Sequence, residues 1–150
     1  MSKQISVGFA CDHAGYQMKE MLVEYLIGEG YAITDFGTMS EDSCDYPDYA
    51  HKLADAVVAQ KCKVGIALCG SGNGISMTLN KHRDVRAALC WLPELAKLAR
   101  NHNNANICSI PARFVDDQTA VKIVETFLNE EFEGGRHQTR VDKVMAIENK

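Results

Sequence analysis

Hydrophobic positions along the chain follow two rhythms. Short apolar runs at residues 5–10, 32–36, 64–68, 87–90 and 107–110 read as strands, with 64–68 the most apolar of them. Between them, apolar residues return at helical spacing. Met18, Met21, Leu22, Tyr25 and Leu26 form the first such face, which closes near Gly28 and Gly30. Ala50, Leu53, Ala54, Val57 and Val58 mark a helix over 46–60, and a further helix is expected over about 72–81. Pro93 suits the first turn of a helix carrying Leu95, Ala96, Leu98 and Ala99. Val121, Val124, Phe127 and Leu128 mark a helix over 116–129, and a last helix runs through Val141, Val144, Met145 and Ile147 after the break at Gly134 and Gly135.

Five strands alternating with helices predict an α/β domain around a parallel sheet. The 150 residues suffice for one domain spanning 1–150 and are too few for two. No repeat, low-complexity tract or linker interrupts the pattern. The one long irregular segment, 37–45 (GTMSEDSCD), has the length of a functional loop.

Composition adds mainly exclusions. The net charge of -4 gives no general attraction to nucleic acid or to an anionic membrane. No apolar stretch approaches the roughly 20 residues that span a bilayer, and the start, MSKQISVGFACDH, has no charged leader or cleavage pattern. The six cysteines (Cys11, Cys44, Cys62, Cys69, Cys90 and Cys108) contain no C-x-x-C pair, which leaves zinc-ribbon and thioredoxin readings without support. They are expected to be reduced thiols in a cytoplasm.

In open parallel sheets, ligands bind beyond the carboxyl ends of the strands. That rule selects Asp12 and His13 after the first strand, Asp45 after the second, Cys69 to Gly74 after the third and Arg113 after the fifth. His102 and Asn103, at the end of the fourth helix, fall outside it.

The stretch ALCGSGNGISM (67–77) permits several readings. Its G-x-G-x-G spacing after the third strand is not the dinucleotide fingerprint, and no Lys precedes Ser76 as a phosphate loop requires. One remaining reading is a tight turn with a buried cysteine. The other places Cys69 among free amides at a helix start, where anions are favoured and a developing oxyanion can be held. In that reading Ser71 hydrogen-bonds the thiolate.

GGRHQTR (134–140) sets Arg136 and Arg140 four residues apart on one helix face, a spacing that suits a phosphate dianion, with His137 beside them. Each signal also has a plainer reading: a capping Asp12, a dipole-complementing His102, surface arginines. As one pocket, an acidic thiol, imidazoles, three arginines, a carboxylate and a bed of amides suit a small phosphorylated substrate undergoing proton transfer beside a carbonyl.

The ordered motifs CDHAG, DYPDYA, CGSGNGIS, ARNHNNAN and EGGRHQTRV closely resemble the type B ribose-5-phosphate isomerases, in a family that also holds allose- and galactose-6-phosphate isomerases. The resemblance covers essentially the whole chain. It implies a three-layer α/β/α Rossmann-like fold with a five-stranded parallel sheet and a C-terminal helix, and a reaction that needs neither metal nor organic cofactor. It implies a phosphorylated sugar substrate, and homodimers or homotetramers whose sites are shared between subunits.

By the same resemblance, Cys69 is the base that moves a proton between C1 and C2. Some members use a glutamate a few residues on, where this chain has Ile75 and Ser76. Ser71 supports the base, and the amides of Gly70, Gly72, Asn73 and Gly74 hold the enediolate. His102 opens the furanose ring with help from Asp12. His13, Arg113, Arg136 and Arg140 bind phosphate. Asp45, Tyr46 and Asn103 line the pocket, and His137 has no assigned role. A non-catalytic sugar-phosphate-binding module is the alternative from a different class.

Overall fold

The computed structural model describes residues 5–150. The leaderless start expected at residues 1–4 lies outside the described residues. Five strands, β1 (Ser6–Cys11), β2 (Ala32–Asp35), β3 (Val64–Cys69), β4 (Ala87–Leu89) and β5 (Ile107–Pro111), form one all-parallel sheet in the order β2-β1-β3-β5-β4. Six α-helices accompany it: α1 (Tyr16–Gly28), α2 (Tyr46–Val58), α3 (Asn73–Leu79), α4 (Pro93–Asn101), α5 (Asp117–Asn129) and α6 (Arg136–Met145). No described helix is long and apolar enough to cross a membrane.

The expected elements are all present, with ends that differ by a residue or two. β1, β3 and β5 each run one residue further because the ladder continues through the pairs Cys11–Leu68 and Cys69–Pro111. α2 stops at Val58 and α3 at Leu79, each two residues short of the expected end. α5 starts at Asp117 because Asp116 serves as its N-cap, its Oδ1 accepting from the Thr119 amide at 2.8 Å.

Alternation along the strands divides the core in two. Val7, Phe9, Ile66, Leu68, Cys108 and Ile110 face α1, α4 and α5, where they meet Leu22, Leu26, Ala99, Ile123, Val124 and Phe127. Ala10, Ala67, Cys69 and Ile107 face α2 and α3, where they meet Ala50, Leu53, Ile75 and Leu79. The result is a three-layer α/β/α Rossmann-like arrangement. The α2 side of the sheet carries small residues at its centre. Leu53 Cδ1 lies only 2.7 Å from where a Cβ on Gly8 would stand, and 3.0 Å from one on Gly65. The paired glycines therefore let α2 settle directly onto β1 and β3.

The irregular segment 37–45 is anchored from beneath. Lys19 of α1 is fully buried, its ammonium 2.6 Å from Asp35 Oδ2 and 2.7 Å from the Thr38 carbonyl. Burial pulls the ammonium pKa down, but the contacts with Asp35 and Glu20 outweigh it and leave it raised. The Thr38 amide in turn donates to the Cys11 carbonyl at 2.9 Å, extending the edge of β1 into the loop.

Candidate active site

The predicted residues fall into two groups within one chain. The first lies at the carboxyl ends of β1, β3 and β5. Asp12 caps the short 3-10 turn His13–Gly15, its Oδ1 accepting from the amides of Ala14 at 3.0 Å and Gly15 at 3.2 Å. The plainer capping reading of Asp12 thus describes its Oδ1. His13 is half-buried, and the Cys44 amide donates to its Nδ1 at 3.2 Å. The neutral ring therefore carries its proton on Nε2, free to donate to an anion.

Cys69 closes β3 with 4% of its surface exposed, packed into the cluster with Ala10, Ala50 and Ile75. Two other cysteines at the ends of apolar runs, Cys11 and Cys90, are fully buried. Burial pushes the Cys11 thiol up to about 12, which disqualifies it as a thiolate base near neutral pH. Among these three, Cys69 alone lies beside the glycine loop.

The loop after Cys69 is shaped by what crowds it. Gly72 takes a left-handed conformation (φ +75°) and is the N-cap of α3, and a Cβ there would collide with Leu89. A Cβ on Gly74 would run into the ring of Tyr46, the first residue of α2. Asp45, at the N-cap position of α2, is exposed and makes no side-chain cap bond. The Arg113 amide donates to the Gly70 carbonyl at 3.0 Å, and its guanidinium lies over Gly70.

Ser71 departs from the expected pairing. Its Oγ accepts from the Asn73 amide at 3.2 Å, and no described bond joins it to the Cys69 sulfur. A hydroxyl two residues before a free amide closes this short turn on itself, leaving its own proton available. Ser71 and Asn73 are both exposed.

The second group lies where α4 ends and α6 begins. His102 is the C-cap of α4, its amide donating to the Leu98 carbonyl at 2.9 Å. The imidazoles of His102 and His137 stack face to face, centroids 4.0 Å apart and planes 11° from parallel. Glu133 Oε1 sits 3.4 Å from His102 Nε2 and 3.6 Å from His137 Nε2. Partial burial, then the charges of His102 and Arg136, hold the His137 pKa below its ordinary value. His102, Asn103, His137 and Arg140 share a hollow of about 430 Å³ with Leu89 and Leu98. Arg136 and Arg140 are exposed, four residues apart in the first turns of α6.

Among the described residues, no hydrogen bond or ion pair joins this second group to Asp12, His13, Cys69 or Arg113. Leu89 borders both groups: it crowds Gly72 and lines the hollow at His102. Sequence reasoning missed Glu133 and the Cys44 amide. Glu133 stands four residues before His137, a spacing visible in EGGRH, but it immediately precedes the stretch whose arginines drew notice. The role of the Cys44 amide belongs to the backbone and leaves no mark in side-chain identity.

The chain matches the family model of the ribose/galactose isomerases over residues 7–144. It is 41% identical over 142 residues to the ribose-5-phosphate isomerase B of Escherichia coli (strain K12), covering 95% of each chain. A solved structure of the Clostridium thermocellum ribose-5-phosphate isomerase B is 43% identical and superposes with a TM-score of 0.95, covering 97% of this chain and 98% of that one. The Mycoplasma genitalium ribose-5-phosphate isomerase B, solved with bound ribulose-5-phosphate, is 40% identical with a TM-score of 0.92 over 97% of both chains.

Proposed function

The chain belongs to the ribose/galactose isomerase family, and on that premise we propose that it interconverts ribose 5-phosphate and ribulose 5-phosphate through an enediolate. The observation that carries the reading is the likeness, over 97% of both chains, to the Mycoplasma genitalium enzyme that holds ribulose-5-phosphate.

The chemistry assigns a task to each group. A furanose hides its carbonyl, so His102 shuttles a proton from the C1 hydroxyl to the ring oxygen, with Asp12 steadying a hydroxyl. The Cys69 thiolate then removes the C2 proton. The electron pair moves onto the carbonyl oxygen O1, giving an enediolate; the O2 hydroxyl proton passes to O1, and the carbon-bound proton returns at C1 to leave the ketose. Ser71 keeps its hydroxyl proton free to support the sulfur. The amides of Gly70, Gly72, Asn73 and Gly74 hold the enediolate oxygens, and losing one such donor typically costs about 100- to 1,000-fold in rate. The Nε2 proton of His13 and the guanidiniums of Arg113, Arg136 and Arg140 grip the phosphate and fix the register of the sugar. Asp45, Tyr46 and Asn103 border the sugar. No metal or organic cofactor takes part.

Two copies of the chain complete the site, as a homodimer or within a homotetramer. In this arrangement the group around Cys69 of one copy meets the group around His102 of the other. The test is a panel of ribose 5-phosphate, allose 6-phosphate and galactose 6-phosphate, assayed with the purified protein alone. Highest turnover of the pentose is expected. Turnover confined to a hexose phosphate would reassign the substrate, and binding without any turnover would make the chain a sugar-phosphate-binding module.

A further inference from the structure

His102, Glu133 and His137 offer two imidazole nitrogens and a carboxylate oxygen, all within 4.8 Å of one another. We propose that this trio is a binding site for a borderline divalent metal of the zinc class, separate from any requirement of the isomerisation itself.

Donor chemistry and spacing agree. Two histidines and a carboxylate form a familiar three-ligand set for such ions, which bind them at about 2.0–2.2 Å. In a tetrahedron with bonds of that length, neighbouring donors stand roughly 3.3 to 3.5 Å apart. The measured separations from Glu133 Oε1, 3.4 Å to His102 Nε2 and 3.6 Å to His137 Nε2, already lie near that edge length. The two rings are stacked nearly parallel, so both must turn to aim their lone pairs at one centre.

The backbone beneath the trio is held in place. The Glu133 amide donates to the Asn101 carbonyl at 3.0 Å, and Asn101 Nδ2 donates to the Glu131 carbonyl at 2.6 Å and to Glu130 Oε2 at 3.1 Å. Asn101 thereby clamps the segment before α6 onto the end of α4, beside His102. Two of the three ligands, His102 and Glu133, therefore come from segments already fixed against each other. The trio also keeps an open side: the side chains of His102 and Glu133 are 39% and 54% exposed, and His102 faces the hollow that Arg140 borders. A fourth position is left for water or for an anion that the guanidinium attracts.

A second imidazole pair, His51 Nδ1 and His82 Nε2, does not meet the same test. Its nitrogens are 2.6 Å apart, the distance of a hydrogen bond and too short for two ligands of one ion.

Metal bound here occupies the lone pair of His102. If His102 opens the sugar ring, as proposed above, such a metal inhibits the enzyme. This consequence rests on that reading, whereas the metal site does not.

Chelator-treated protein titrated with Co²⁺ tests the site directly. The expected result is a visible ligand-field absorption that saturates at one ion per chain, without the near-ultraviolet thiolate charge-transfer band. Zn²⁺ displaces it. Glu133→Gln and His137→Asn, each checked for an unchanged melting temperature, weaken binding at least about tenfold, since even outer-sphere partners typically cost that much. His82→Asn leaves the titration unchanged. Absence of the band, a thiolate band in its place, or full binding in both Glu133→Gln and His137→Asn overturns the proposal. In a parallel assay, Zn²⁺ lowers ribose 5-phosphate conversion and Glu133→Gln relieves the inhibition. Cobalt binding with the expected variant pattern but no inhibition upholds the metal site and removes His102 from ring opening.

Discussion

Arg113 is hydrogen-bonded to the glycine loop through its amide, which donates to the Gly70 carbonyl at 3.0 Å, and its side chain packs over the same residue, Nη1 lying 3.2 Å from where a Cβ on Gly70 would stand. The cation is thereby set beside the residue that follows Cys69. In the proposed reaction, this contact between the segments after β3 and β5 would hold a phosphate-binding Arg113 at a constant distance from a Cys69 base, as proton abstraction from a fixed carbon requires.

Cys69→Ala should reduce kcat by about 100- to 10,000-fold, the usual contribution of a positioned base. The binding of ribulose 5-phosphate, followed by calorimetry, should stay close to that of the unmodified protein. Substantial remaining turnover would remove the thiol from the role of base.

His102→Asn should separate ring opening from carbon chemistry. Consumption of ring-closed ribose 5-phosphate should fall about 100-fold or more. Exchange of the C1 hydrogen of ribulose 5-phosphate with solvent deuterium, which needs no ring, should persist. Equal losses in both measurements would contradict a role confined to the ring.

Arg136→Ala should raise the Michaelis constant for ribose 5-phosphate by roughly 10- to 100-fold, the weight of one charge-assisted hydrogen bond. The turnover number should change far less. Steady-state kinetics with an unchanged Michaelis constant would exclude Arg136 from the phosphate site.

Lys19→Met should destabilise the fold by about 3 kcal/mol, because it leaves the Asp35 carboxylate and the Thr38 carbonyl without their buried partner. The Lys19 pKa is raised in the folded state. Its stabilisation is therefore complete below the ordinary lysine value of about 10.4 and is lost as pH rises through the higher folded value. Urea unfolding of both proteins should show a constant difference from neutral pH to about pH 10, narrowing above it. A difference that already shrinks between pH 7 and 9 would contradict the raised value.

Much of the fold was legible in the sequence because its signals are local. Short apolar runs such as Val64 to Leu68 and the helical faces of α2 and α5 announce themselves within a dozen residues. The strand order was not legible. Nothing in residues 107–110 says that the last strand inserts between β3 and β4, since that choice depends on how α4 crosses the sheet. Sequence position alone identified the groups past the strand ends, from Asp12 to Arg113. It set His102 and Asn103 apart from that rule, but a linear motif order carries no information on how the end of the fourth helix packs near the glycine loop. Glu133 escaped for a similar reason: its partners are the ring nitrogens of two histidines brought together by the clamp at Asn101.

Leu53 fills the gap left by Gly8 and Gly65, which keys α2 to the sheet in depth and rotation. Tyr46 stands seven residues earlier on the same helix, roughly 10 Å along its axis. The helix thus acts as a lever with its fulcrum at two adjacent glycines. One methyl group added at that fulcrum would press on Leu53 and disturb the helix that seats the Tyr46 ring against Gly74. The seating of that ring is machined in the middle of the sheet, roughly two helical turns from the loop it borders.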